Sequence, residues 1–268
     1  MIPRIATILV VIGAIIGVAC VDMSAPSGAA SISSLQLPSP SVVVGDVMRD
    51  SLGAPAKLDV IAYDANGARI SGVSPQFFVT DSGAPATVDP SGTVTGTKLG
   101  IVHVVGQIGT LQTLPAAITV TVAPTLIAAT NATVDTIIAP LSVDTTQRGT
   151  SAAAVTVTGV GNPAPVGAAG FIVKYKLLQA PSTSASSKSP AVFLADEQGN
   201  PSTVDTTDAA GHASRNVVVV TAFLGDTSLL KGRVDSAVVT AETSYKGTLV
   251  TPSPLRFAIP IVVRLKLP

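Results

Sequence analysis

The strongest constraint on the fold is that apolar residues recur at every second position in short segments that end at Gly, Pro, Asp or Asn. In Ile118-Thr119-Val120-Thr121-Val122, three apolar side chains fall on one face of an extended chain and two threonines on the other. Pro124 has no amide hydrogen to give to a ladder and ends the run. Leu58, Val60 and Ala62 likewise share a face, opposite Lys57, Asp59 and Tyr63, ahead of the turn Asp64-Ala65-Asn66-Gly67. Strands this short, repeated about every ten residues, bury their apolar faces by stacking one sheet on another. Val, Thr, Ala, Ser, Gly and Pro dominate while charged residues make up 12% of the chain, a mixture rich in strand and turn formers. The expected fold class is all-β.

The N-terminus carries a different signal. Arg4 precedes a predominantly apolar run over residues 5–19, which ends in small residues and then Cys20, the single cysteine of the chain. A positive end ahead of such a run is how an export signal reads, because the apolar stretch enters the membrane while the charge stays inside. The run falls short of the roughly 20 residues needed to span a bilayer, and no later run is long enough. Ile16-Gly17-Val18-Ala19-Cys20 resembles the lipobox of bacterial lipoproteins, with Gly17 where that family prefers a branched aliphatic residue. The resemblance implies cleavage before Cys20 and acylation of its sulfur and new amino group, so Cys20 is the expected lipid attachment point. A lone cysteine has no disulfide partner within the chain. Residues 21–34 are small and polar, and are expected to form a tether.

A second resemblance lies further on. Ala86-Thr87-Val88-Asp89-Pro90-Ser91-Gly92-Thr93-Val94-Thr95-Gly96, then Gly100-Ile101-Val102-His103-Val104-Val105-Gly106, then the strand at 118–122, is similar to the bacterial immunoglobulin-like domain of group 2. That family has a related turn, a glycine-led strand and a closing strand in this order, and the likeness covers about residues 32–123. The tryptophan that many members place before the central turn is absent, and Phe77 or Phe78 stands in for it. In the second half, candidate strands are residues 154–158, 171–177, 192–195, 213–220, 235–242 and 257–263. Between the second and third of these lies a Ser-rich, low-complexity loop at 179–190, expected to be mobile. The run from Val204 to Ala213, with Val239-Thr240-Ala241 beyond it, resembles invasin-type Ig-like domains of group 1. The expected organisation is therefore a signal peptide at 1–19, a lipidated tether at 20–34, an Ig-like sandwich at 35–123 and a second at 124–268.

Chemistry is sparse. His103 alternates outward from inward-facing valines and His212 follows Gly211 in a turn; neither has metal-ligand spacing. No G-x-S-x-G elbow accompanies the many serines, so no catalytic or cofactor-binding residue is expected. Asp196, Glu197, Asp205 and Asp208 lie close in sequence and could hold Ca²⁺ at a sandwich end, although turns favour Asp for its bonds to nearby amides. Lys+Arg 16 balances Asp+Glu 16 without a run of either sign, which leaves no footprint for nucleic acid. Tryptophan is absent and aromatics are 3%, which argues against a stacking platform for sugars.

The resemblances imply a non-enzymatic, lipid-anchored protein of the bacterial envelope, at the outer membrane or cell surface. Its Ig-like domains would act as a spacer or as an adhesion module toward a protein or glycan. The alternative is a carbohydrate-binding accessory of a polysaccharide-processing system, which would need Tyr63, Tyr175 or Tyr245 on an exposed platform.

Overall fold

The structure is a computed structural model and describes residues 29–131, 135–225 and 234–265. The signal segment and Cys20 lie outside these. The described chain is all-β apart from one short 3₁₀ turn at Thr221–Phe223, and it forms two sandwiches, each with its own core.

In the first sandwich one sheet runs in the order Ser41–Val43, Ala116–Thr121, Gly100–Ile108, Gln76–Val79. Ser41–Val43 pairs in parallel with Ala116–Thr121, and the other neighbours are antiparallel. The strand Ser31–Ile32 pairs with Ala62–Tyr63 in a second sheet, so the ordered sheet begins inside the stretch expected to be tether. Its place is fixed by main-chain bonds, including Ser33 N–H to the Ile61 carbonyl at 2.8 Å. The predicted inward faces are buried: Leu58, Val60 and Ala62 from one segment, Val102 and Val104 from another, Ile118 and Val120 from a third. Of the two phenylalanines, Phe77 fills the place of the missing tryptophan. It is 5% exposed against 42% for Phe78, and a Cβ on Gly92 would come within 2.9 Å of its ring.

The second sandwich repeats the plan at larger scale. One sheet runs Pro124–Ala129, Gly149–Gly159, His212–Val219, Val192–Ala195. The other runs Ile137–Leu141, Leu255–Leu265, Val234–Tyr245, Ile172–Gln179, Val204–Thr206. Gly149–Gly159 alternates along its whole length, placing Ala153, Val155 and Val157 in the core. The chain crosses from sheet to sheet after its first strand, and Ile137–Leu141 then runs parallel to the last strand, with Ile137 opposite Ile261. The first sandwich does the same with Ser31–Ile32 and Ser41–Val43.

All six strands expected in this half are present. Pro124–Ala129, Ile137–Leu141 and Val204–Thr206 were not expected as strands. The first two are apolar on both faces, with Leu126 and Ile138 exposed beside buried Ile127 and Ile137, so apolar–polar alternation is weak in them. The Ser-rich loop is tied down along one side. Ser184 N–H reaches the Phe223 carbonyl at 2.8 Å, Gly225 N–H reaches Ser182 at 2.8 Å, and Ala191 N–H reaches Thr183 Oγ1 at 3.0 Å.

One turn recurs through both sandwiches, at Asp50, Asp64, Asp89, Asp196 and Asp208. In each, the aspartate carboxylate accepts the amides two and four residues on. The glycine three residues on gives its N–H back to the aspartate carbonyl at 2.9–3.1 Å. These glycines sit at φ between +79° and +87°, a region that L side chains resist. The sequence writes the turn as Asp-x-x-Gly. At Gly211 a Cβ would overlap the Val157 carbonyl, whereas at Gly67 it would meet open space. Gly211→Ala should therefore cost about 3 kcal/mol or more, and Gly67→Ala about 1 kcal/mol, the backbone strain alone. Denaturant titration of the two variants measures the difference.

Among the described residues of the second sandwich, Arg215 is the charged side chain that is buried. It is 9% exposed and sits on an inward position of His212–Val219, in one sheet. Its Nη2 donates to the Val204 carbonyl and its Nε to Ser202 Oγ at 3.2 Å, next to and within the edge strand of the other sheet, while Nη1 lies 3.1 Å from Asp205 Oδ1. The guanidinium thus clasps the two sheets along one open side. Arg215→Ala removes the bonds to Val204 and Ser202 and leaves Asp205 without its counter-ion, and should lower stability by about 3 kcal/mol, the low end for a broken buried pair because Asp205 keeps some solvent. A shift in the denaturation midpoint at unchanged slope is the expected result.

Candidate functional site at the junction of the sandwiches

The last strand of the first sandwich, Ala116–Thr121, is separated from Pro124–Ala129 by only Val122 and Ala123. Val122 packs against the second core, and a Cβ on Gly159 would overlap the Ala123 carbonyl. The short linker holds the sandwiches close enough for side chains of one to bond the other.

Asp46, in the turn after Ser41–Val43, is the centre of these contacts. Its carboxylate receives Arg49 in a fork, Nε at 2.8 Å and Nη2 at 2.9 Å. From the second sandwich, the Tyr245 hydroxyl donates to it at 2.5 Å and Lys246 Nζ lies 3.3 Å away. Charge-assisted bonds of this kind are short and directional. The Asp46 side chain is only 12% exposed. The Arg49 fork outweighs burial and holds its carboxyl well below the usual carboxylate range. Burial, then the adjacent Asp46, pushes the Tyr245 phenol well above its usual value, so it stays a donor.

Arg49 carries the contact onward. Its Nη1 donates to the Gly53 carbonyl at 2.9 Å, fixing the Asp50 turn. Gly53 stacks so closely on the turn Lys246-Gly247 that a Cβ there would overlap the Gly247 nitrogen. That turn has positive φ at both residues, 52° and 74°, as a two-residue hairpin between Val234–Tyr245 and Thr248–Leu249 requires. Lys246 Nζ stands 5.2 Å from the Tyr245 ring centre, and Phe171 meets that ring edge-on at 6.0 Å. A second set of bonds lies beside the first: Ala169 N–H to Thr121 Oγ1 at 2.9 Å, and Ser41 Oγ to the Gly170 carbonyl at 3.2 Å. Between them is a cleft of about 300 Å³ with mixed walls, including Arg49, Lys174 and Glu242.

Elsewhere the expected candidates are scattered. Asp196 and Asp208 each cap their own turn, and Asp205 is held by Arg215 and by Ser214 N–H at 2.7 Å. Their oxygens do not converge, and among the described residues no group of three or more His, Cys, Asp or Glu could hold a metal ion. His103 is exposed and lies 3.1 Å from Asp81; His212 is 3.9 Å from Asp208. Tyr175 is buried in the second core, Tyr245 is locked in the junction and Tyr63 is half-buried, so the tyrosines form no shared platform. Among the described residues no helix is long and apolar enough to cross a membrane. Of the junction residues only Tyr245 was named from sequence, and for a different role, an aromatic platform; the local signal that marks the place is Lys246-Gly247, a hairpin-turn pair.

The strand order defines the class. One sheet of the second sandwich joins its first, second, fifth and fourth principal strands and the other its third, sixth and seventh, the arrangement of an immunoglobulin-like sandwich. No protein-family model matches the chain, and no curated protein matches it in sequence. Among solved structures it is similar to domains 4 and 5 of the S-layer protein SbsC, with TM-score 0.31 and 16% identity over 87% of this chain and 99% of that one. It is also similar to the Yersinia pseudotuberculosis adhesin InvE, with TM-score 0.32 and 16% identity over 82% of this chain and 56% of that one. The D0-D1 domain of intimin gives TM-score 0.26 and 16% identity over 86% and 98%. The class itself rests on the strand order.

Because the Asp46 pKa is depressed, its contribution is present above the ordinary carboxylate range and is lost only as pH falls through its lowered folded value. Between about pH 7 and pH 5 the junction should therefore stay closed. The expected observation is an unchanged near-ultraviolet circular dichroism signal of Tyr245, compared with Tyr245→Phe, across that interval.

Proposed function

We propose that the chain is a non-enzymatic, lipid-anchored protein of the bacterial envelope, whose Ig-like domains at 35–123 and 124–268 act as a spacer or as an adhesion and interaction module. The observation that carries this reading is the tandem of sandwiches, joined through two residues and bonded across the junction, downstream of an export signal that ends in a single cysteine. A spacer needs length and stiffness rather than a reactive pocket, and the charge balance and engaged carboxylates fit that need. Cys20 is proposed as the attachment point, with Gly17 to Ala19 as processing signal and the outer membrane or cell surface as the destination. Contact with a protein or glycan partner would fall on loops and on unpaired sheet edges such as Gln76–Val79.

The test is mass spectrometry of the N-terminal peptide from membrane-purified protein. The expected peptide starts at Cys20 and carries acyl-glycerol mass. Cys20→Ala should abolish that mass and leave a soluble or signal-retaining form. A wild-type chain that keeps Met1, or matures with an unmodified terminus, would overturn the anchor.

A further inference from the structure

We propose that the junction is a latch closed by the Asp46 carboxylate, which holds the two sandwiches at a fixed angle so that they move as one stiff body. This deepens the spacer reading and rests on it. It draws on the convergence of three side chains from two separately cored units on one carboxylate. Asp46 grips its own sandwich through Arg49 and the other through Tyr245 and Lys246. A linker of two residues keeps the units near each other, and Val122 and Ala123 rest on the second sandwich, but two residues make a small hinge, so contacts outside the linker are needed to fix the angle.

Those contacts form a connected series. Asp46 orients Arg49, and Arg49 holds the Gly53 carbonyl. Gly53 then seats against Lys246-Gly247, where there is no room for a side chain. In the second set, Thr121 accepts the buried Ala169 amide and Ser41 reaches Gly170, where a Cβ would approach Ser41 Cβ to 2.5 Å. Residues of both sets line one cleft, Arg49, Gly53, Tyr245 and Lys246 from the first and Ser41 and Gly170 from the second, so a rotation about the linker disturbs both. Losing the Asp46 charge leaves Arg49, Lys246 and the Tyr245 hydroxyl without their shared acceptor inside a half-closed site, which favours the swung-open arrangement. Asp46 is in this sense a positioning residue.

Hydrogen–deuterium exchange of the full chain, resolved by mass spectrometry, tests the latch. The amide of Ala169 is the reporter, since its acceptor, Thr121 Oγ1, belongs to the other sandwich and neither residue touches Asp46 in the bonds described. In wild type this amide should be protected. In Asp46→Asn it should exchange roughly tenfold faster or more, together with residues 243–249, while Gly100–Ile108 and Gly149–Gly159 keep their protection. Tyr245→Phe removes one bond and keeps the ring on Phe171, so it should shift Ala169 in the same direction by less. If Asp46→Asn also loses protection along Gly100–Ile108, the variant has unfolded the first sandwich and Tyr245→Phe alone decides. Unchanged exchange at Ala169 in the deciding variant, or rapid exchange there in wild type, would overturn the latch. An unacylated Cys20 would sink the anchor and leave this readout untouched, so the two ideas fail separately.

Discussion

The fold depends on each strand returning to its sheet in a register that keeps its β-branched side chains between the sheets. A slip of one residue would turn an entire strand inside out, exposing Val102 and Val104 and burying His103. The chain has few large side chains with which to resist such a slip, and the Asp-x-x-Gly turn supplies much of the resistance. Its carboxylate binds two amides and its glycine takes the one backbone conformation that closes the loop, so the turn length cannot drift. At Asp89 these amide bonds lower the carboxyl pKa, and the flanking strands Ala86–Val88 and Val94–Gly96 leave in fixed register.

A sandwich also has open sides, and the second one closes one of them with charge. Arg215 occupies a position that alternation reserves for an apolar residue, and its guanidinium reaches from one sheet to acceptors at the edge of the other. Such a group is tolerated because the backbone and Asp205 meet its donors, and because its stem packs among apolar neighbours. Nearby, the Tyr175 hydroxyl lacks a hydrogen-bond partner and its phenol is held well above the usual value by burial. The second core is thus less uniformly apolar than the first, in keeping with its larger size and its additional strand Val204–Thr206.

The junction uses the same chemistry between units that the turns use within them. Asp50, which shapes one turn, sits beside Asp46, which gathers donors from both sandwiches, and the two are connected through Arg49. Two close approaches, of Gly53 to the Gly247 backbone and of Gly170 to the Ser41 side chain, allow the walls to come within bonding distance. A structure whose function is to hold a distance needs such a joint more than it needs a pocket, and the cleft left between the walls is lined by ions of both signs.

Much of this was legible in the chain. Alternation placed the inward faces of the strands around Leu58, Val102 and Ile118, because side-chain direction along a strand follows from backbone geometry alone. Turn chemistry located Gly92 and Gly211, because only glycine takes positive φ without strain. The strands Pro124–Ala129 and Ile137–Leu141 escaped notice, since each carries apolar residues on both faces, exposed Leu126 and Ile138 beside buried Ile127 and Ile137, and no polar alternation marks them. The roles of Arg215 and of Asp46 with Tyr245 were invisible for a different reason. A charged residue in a strand reads as solvent-facing, and residues 46 and 245 are distant in sequence. Local sequence determined the all-β class, the inward faces and the turns; tertiary structure alone decided which charges converge, because that depends on how two separately cored units are brought together.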